Sequence, residues 1–409
     1  MRIRRAPTGW AALLALVCCG SASAQSAQSP PPIQGTTTTL PELTLANTLI
    51  QLIRPVGATH VGEALGLATE LAIATAPFGA SSGGFLIKLD PGTGLQVRTA
   101  STFGPSFSER ALTSGEGKVS AGVNFISVTY DRLDTLAIDG LRVRSAPAPS
   151  ATASRSGIAN LALTSNTVVI TTRMGVTDKL DVGLALPLVT VKVSGTSTLR
   201  NGNGDILLFG SGGGLSKGLG DVAGLVKYRF LTFGSGQPDP GGFAVMATMR
   251  LPTGDKDNLR GLGINRTLLS FIASSGRGRF RPHANVGYEW WSKGVSVTSD
   301  YAANATVTAR HQFEYAAGLE LEAAPKLTML VDLLGGKIFG GGKVGFATNT
   351  SGAESAVALP EGIRRLSVVP GLKMNLKGKL VLSVNALIAL KNDGLHARVT
   401  PVGGIDLSF

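Results

Sequence analysis

The chain reads as an all-β protein: a transmembrane antiparallel β-barrel of about twelve strands, within a span of 10–14, preceded by a short N-terminal helical and hairpin segment. Three observations predict it. Beyond residue 24 no stretch is apolar for the roughly 18 residues that a spanning helix needs. From about Lys118 onward, segments of roughly 10–15 residues alternate apolar and polar side chains, the length of a tilted strand that crosses hydrocarbon. The connections between them alternate short and long, as in a bacterial barrel with tight periplasmic turns and long outer loops.

The first element is a leader. Arg2, Arg4 and Arg5 precede an apolar run from Trp10 to Cys19 and the small residues Ser21-Ala22-Ser23-Ala24. That is the pattern of a signal peptide over residues 1–24, cleaved after Ala24. The only cysteines, Cys18 and Cys19, lie inside it. Cys19 follows Cys18, and Cys18 follows Val17, where a lipoprotein site wants a small residue, so no lipid anchor is expected. A mature chain without thiols has no disulfides, thiolate metal sites or cysteine nucleophile. Losing the three leader arginines lowers the formal charge from +12 to +9. The basic residues are scattered, without the aromatic-interleaved patch of a nucleic-acid binder, so nucleic acid is not an expected partner.

Residues 25–110 form the second unit, expected to be periplasmic or plug-like. Gln25 to Leu40 is a Pro/Thr/Ser/Gln-rich lead, whereas Pro41 to Pro55 and Thr59 to Pro77 have helical spacing, with Thr59 placed to cap the second helix. Phe85 to Asp90 and Leu95 to Thr99 alternate around Pro91-Gly92-Thr93-Gly94 and read as a hairpin.

Residues 111–409 carry the barrel. Its strands are expected to start near Lys118, Asn160, Lys179, Asp221, Gly242, Asn265, Arg279, Arg310, Lys326, Arg364, Lys379 and Ala397. The clearest runs from Phe280 to Trp290. Phe280, Pro282, Ala284, Val286, Tyr288 and Trp290 share one face, and Arg281, His283, Asn285, Gly287 and Glu289 the other, because successive side chains point to opposite sides. Phe313, Tyr315, Leu319 and Leu321 alternate with Gln312, Glu314, Glu320 and Glu322 in the same way. Val176–Asp178, Gly276–Gly278, Ala323–Pro325 and Lys377–Gly378 are tight turns. Residues 132–159, 195–220, 292–309 and 340–363 are expected to be long polar loops. Tyr288, Trp290 and Trp291 are expected at the headgroup level as interface anchors. The last strand ends on Phe409, which resembles the signal read by the outer-membrane assembly machinery. The expected location is therefore the outer membrane, with lipid and lipopolysaccharide as surroundings and the assembly machinery as a partner.

The polar faces supply the candidate lumen-lining residues: Lys227, Arg229, Arg250, Arg281, Glu289, Glu314, Glu320, Asp332, Arg365, Lys373 and Arg398. Such a set is either a network of paired charges that fills a narrow interior or a mixed-charge constriction that selects solutes.

Four stretches carry a family resemblance: Ser101–Tyr130 (STFGPSFSERALTSGEGKVSAGVNFISVTY), Lys217–Phe230 (KGLGDVAGLVKYRF), Arg250–Gly263 (RLPTGDKDNLRGLG) and Phe280–Trp291 (FRPHANVGYEWW). Together they resemble the outer-membrane transporters grouped as the "MetA-pathway of phenol degradation" family, over most of the chain from about Gly84. The resemblance implies an outer-membrane barrel and the uptake of aromatic or other hydrophobic compounds. It assigns no site residues.

Other chemistries find little support. Gly218-Leu219-Gly220-Asp221 leaves a glycine loop and enters a strand, so it lacks the strand–turn–helix setting of a dinucleotide fingerprint. Asp255, Asp257 and Asn258 would place oxygens for a calcium ion, but the pattern breaks at Leu259. None of His60, His283, His311 and His396 has a second histidine three or four residues away, as a zinc helix requires. His283 falls on the water face, away from where a lipid-splitting Ser–His pair would work. No catalytic residue, metal site or cofactor is assigned. The expected function is a channel or transporter for small molecules, and the alternative is a structural or surface-interaction barrel with a closed lumen.

Overall fold

The computed structural model describes residues 44–53, 59–79, 87–89, 96–98, 102–145, 155–234, 241–276, 279–299, 305–348, 354–377, 379–391 and 393–408. The expected leader, the Gln25–Leu40 lead, the side chain of Thr59 and the terminal Phe409 lie outside the described residues.

Twelve antiparallel strands form the barrel: β1 Val119–Tyr130, β2 Arg155–Thr177, β3 Leu180–Arg200, β4 Ala223–Phe233, β5 Gly241–Arg250, β6 Arg266–Ser274, β7 Phe280–Trp291, β8 Ala305–Ala324, β9 Leu327–Thr348, β10 Glu354–Lys377, β11 Leu380–Ala389 and β12 Val399–Ser408. Each pairs with its sequence neighbours. The sheet closes where β12 meets β1, from Val402↔Ile126 to Ser408↔Ser120. Closure leaves these strands no open edge at membrane depth. Tight turns join β2 to β3, β8 to β9 and β10 to β11 at one end, here the short-turn end.

Over the half nearest the short turns, side chains alternate polar-in and apolar-out. Asp181, Lys227, Glu320, Asp332 and Lys373 are buried inside, while Leu184, Val226, Leu269, Val331, Leu372 and Ile405 are exposed outside. A continuous outer belt of exposed aliphatic side chains is tolerable against lipid and costly against water.

At the other end the pattern reverses. On β3, Leu184 and Leu188 point out, yet Val189, Val191 and Val193 are buried on the inner face and Lys192 is exposed. The strand keeps its twofold pleat while the apolar residues change sides. On β8 the same reversal uses a bulge between Arg310 and Gln312, where His311 adopts φ 54°. Below it Gln312 and Glu320 are buried and Tyr315 and Leu319 exposed; above it Val307 and Ala309 are buried.

This reversal corrects the expected long loops. Residues 189–200 of β3 pair with Ile206–Leu219, Leu141–Ser145 pairs with the start of β2, Val295–Ser299 pairs with Ala305–Ala309, and β9 and β10 stay paired up to Thr348↔Glu354. The strands continue past the lipid belt. These segments are rich in Gly, Ser and Thr, so composition alone reads as loop.

Two helices fill the end opposite the short turns, α1 Leu45–Ile53 and α2 Thr59–Ala74. Leu45, Leu49, Leu52 and Ile53 recur at the spacing of one helical face. They are buried in one cluster with Leu65 of α2 and with Leu161, Val189, Val191 and Val193 of the inverted strand ends. A Cβ on Gly62 would lie 2.6 Å from Ile50 Cα, so the two helices meet backbone to backbone only because residue 62 is glycine. The expected hairpin is present as an antiparallel pair, Ile87–Leu89 with Gln96–Arg98. Trp290 is exposed as an interface anchor should be, but Trp291 is 4% exposed and its Nε1 donates to Glu289 Oε1 at 2.7 Å. One residue's shift along a pleated strand places it on the lumen side.

Candidate functional site

Residues 102–117 cross the lumen near the short-turn end, and the wall side chains are arranged to hold them. Phe103 N donates to Thr328 Oγ1 at 3.2 Å, and the amides of Ser106 and Phe107 donate to Asp332 Oδ2 at 3.3 and 3.2 Å. Lys373 Nζ donates to Pro105 O at 2.7 Å. Arg110 donates to Glu320, with Nε on Oε1 at 2.7 Å, and Lys227 Nζ donates to the carbonyls of Arg110 and Leu112. Ser114 N donates to Asp181 at 3.0 Å. Burial opposes the charged form of Glu109, but Arg173 and Lys227 beside it outweigh that and hold its carboxyl down at about 2. The first barrel strand starts at Val119, next to the expected start near Lys118.

The candidate lumen residues divide by what they touch. Lys227, Glu320, Asp332 and Lys373 bind residues 102–117, and Asp332 also accepts from His283 Nε2 at 2.8 Å. Arg365 reaches the other lumen segment, donating to Thr75 Oγ1 and to Leu71 O at the end of α2. Glu289 sits between Arg266 at 3.4 Å and Arg250 at 3.6 Å. Gln312 donates to Glu314 at 2.7 Å, and Arg281 is buried on the inner face. Arg229 reaches only the short-turn rim, where it donates to Asp178 O at 2.9 Å. Arg398 is not in the lumen: its side chain is 71% exposed and pairs with Asp131 at 2.7 Å. Its carbonyl accepts from Ala389 N at 2.9 Å, and Asp131, which accepts from both its amide and its Nε, holds the side chain away from the lumen.

Arg173 and Asp181 join Glu109 and Lys227 in one buried cluster, and Asp221 and Arg266 join Glu289 and Arg250 in another; these four were absent from the expected set. Alternation could have found Arg173, since Val169, Thr171 and Arg173 are buried on one face of β2. Glu109 and Arg110 lie in a stretch with no periodicity, so only their isolation as charges in a small-residue run marked them.

The two phrases Gly218-Leu219-Gly220-Asp221 and Leu251-Pro252-Thr253-Gly254-Asp255 meet in space. Thr253 Oγ1 donates to Gly220 O at 2.6 Å and accepts from Val222 N at 2.9 Å, while Gly254 N donates to Asp221 Oδ1 at 3.1 Å. Asp221 Oδ2 accepts from Leu262 N and Arg266, both at 3.3 Å. Asp255 accepts from Asn258 Nδ2 at 2.7 Å and from Arg260 at 3.1 Å, which makes its carboxylate a turn former. The folded loop 251–265 then receives α1, as Ala46 N donates to Asp257 O at 3.0 Å.

Between the end of α2 and residues 102–117 lies a lumen cavity of about 320 Å³. Phe78, Phe107, Ile126, Leu268 and Ile272 contribute apolar walls, and Glu109, Arg173, Arg250, Gln312, Glu314 and Arg365 contribute polar groups.

No family model matches the chain, and no curated protein matches it. Among solved structures it is similar to an outer membrane channel from Pseudomonas putida F1, at 12% identity over 73% of this chain and 98% of that one, with a TM-score of 0.45. It is also similar to a FadL homologue from Pseudomonas aeruginosa, at 10% identity over 82% and 99%, TM-score 0.28. A third is the CymD monoaromatic hydrocarbon channel, at 12% identity over 72% and 88%, TM-score 0.29. These likenesses are partial, and the barrel assignment rests on the chain's own strand pairing.

Proposed function

We propose that this chain is an outer-membrane channel for small molecules, with the short turns facing the periplasm and the long strand extensions facing outward. The observation that carries it is the nature of the lumen filling. A barrel of this size can fill its interior with its own wall side chains. Here the filling at membrane depth is a separate segment, residues 102–117, attached through hydrogen bonds and ion pairs that water can replace. Removing it would leave a charged, hydratable passage lined by Arg173, Lys227, Glu320, Asp332 and Lys373. The solutes in this reading are aromatic or other hydrophobic compounds, as the resemblance to the "MetA-pathway" transporters implies, and no catalytic step is assigned.

The test is single-channel conductance of the refolded mature protein in a planar bilayer, beside a version lacking residues 25–117. Steps in the truncation, with rare or no steps in the full chain, are expected. A truncation that folds as a barrel and stays silent overturns the channel reading. It would favour a structural barrel, the reading that the apolar packing of α1 and α2 at the end opposite the short turns supports.

A further inference from the structure

The lumen cavity has a specific chemistry that wall-to-segment pairing leaves unused. Buried polar atoms without a hydrogen-bond partner are rare in folded proteins, and each asks for an explanation. Three residues on this cavity carry them: Arg250 at Nη1, its Nε being the atom that faces Glu289, Gln312 at Oε1 and Arg173 at Nε. Arg250 is 8% and Gln312 6% exposed. The Arg250 guanidinium lies 4.2 Å from the centroid of the Phe78 ring, which fixes it against the apolar wall of the cavity. Gln312 is locked by its amide nitrogen, which donates to Glu314 at 2.7 Å, so its carbonyl oxygen is left as an acceptor.

We propose that this cavity is a binding site for a small, uncharged, mainly apolar molecule bearing one hydroxyl group, recognised by Arg250 and Gln312; this deepens the channel reading and rests on it. A hydroxyl is the simplest group that offers both an acceptor for the Arg250 guanidinium and a donor for Gln312 Oε1, since it accepts one hydrogen bond and donates another. A hydrocarbon would leave both unmet. A carboxylate accepts but cannot donate to Gln312 Oε1. It would also bring a charge into a place where Arg173 already holds Glu109 at 2.6 Å and Glu289 already faces Arg250 at 3.6 Å. The volume is at the lower end of small-molecule sites, with room for on the order of ten water-sized groups. Phe78, Phe107, Ile126 and Ile272 supply the apolar contact, and the two polar groups supply the selection.

Calorimetric titration of the refolded mature protein in detergent would use cyclohexanol, methylcyclohexane and cyclohexanecarboxylate, three probes of similar size. Cyclohexanol should bind about tenfold more tightly than either of the others, the factor that one net hydrogen bond supplies. Gln312→Met and Arg250→Met should each abolish that preference while the folded barrel persists, checked by its shift on an unheated gel. Gln312→Met, which alters no charge, keeps the test valid if the arginine variant fails to fold. Equal binding of the alcohol and the hydrocarbon, tighter binding of the carboxylate, or a preference that survives Gln312→Met would each overturn the proposal. Single-channel conductance of the version lacking residues 25–117 separates the two readings. Steps in it without selective binding by the full chain leave the channel standing and remove the site, and selective binding with a folded but silent truncation does the reverse.

Discussion

Arg173 of β2 donates both terminal nitrogens to Glu109, at 2.9 and 2.6 Å, so a wall strand grips the lumen segment through a bidentate ion pair. Lys227 approaches the same carboxylate at 3.2 Å from β4. Glu109→Gln would leave two buried cations without their carboxylate, a loss on the order of 3–5 kcal/mol for breaking one side of a buried pair. The expected outcome is a variant that conducts where the full chain does not, read as single-channel steps in a planar bilayer.

The same pair fixes an acid dependence. The Glu109 carboxyl titrates at about 2 in the folded protein against an ordinary value of 4.5, so the folded state favours its charged form. Its contribution is complete above about 4.5 and is lost as the pH falls from there through about 2. Hydrogen exchange of residues 102–117 should accelerate over that window relative to the wall strands. Unchanged protection down to pH 2.5 would show that the pair does not hold the segment.

Glu70 of α2 behaves in the opposite sense. Burial raises its carboxyl to about 7, against the opposing pull of Lys256 and with a further push from Asp257. The folded state therefore holds the proton more tightly than the unfolded one, and stability falls as the pH rises from about 4.5 through 7. Amides of α2 should lose protection from about pH 4.5 through 7 once intrinsic exchange is corrected for. Glu70→Gln should make that protection independent of pH across the same interval.

Asp221 is the junction between β4 and the 251–265 loop, and it is 4% exposed. Asp221→Ala would remove the acceptor for Gly254 N and Leu262 N and one partner of Arg266, costing roughly 2–4 kcal/mol. Because Asp257 and Asn258 of that loop accept from Ala46 and Leu45, α1 should loosen along with it. Exchange that rises in the loop alone, with α1 still protected, would show that the two are not coupled.

The reversal of alternation on β3 locates the edge of the lipid belt between Leu188 and Val189. Leu184→Arg, on the outer face below that edge, should destabilise the barrel by about 2–4 kcal/mol, whereas Thr196→Arg on the same face above it should cost under about 1 kcal/mol. Urea unfolding in lipid vesicles measures both. Equal losses would place the edge elsewhere.

Much of the barrel was legible because the pleat imposes a period of two on any strand with lipid on one side. Phe280 to Trp290 shows it without interruption, and the burial pattern of β7 follows it residue by residue. Two things were illegible for the same reason. Past the lipid belt the apolar residues pass to the inner face, by a change of phase on β3 and by the His311 bulge with the phase kept on β8, so Gly/Ser/Thr-rich strand reads as loop. In the lumen the partners are set by where residues 102–117 cross. Those residues have no period, so Lys227 and Asp332 could be assigned to the inner face but not to Glu109 or Ser106. Arg398 differs in another way, because its side is decided by Asp131, a partner 267 residues away that no period in the sequence marks.

Gly117 N donates to Gly175 O at 2.9 Å, and two residues later the chain enters β1. A lumen segment released from its contacts is thus still tethered at the mouth it left, at an effective concentration that a short linker sets in the millimolar range. Its return is a first-order event. In this reading, opening and closing rates should be the same in a dilute preparation and in a crowded membrane, and a free peptide of the same sequence would compete with the attached one only at comparably high concentration.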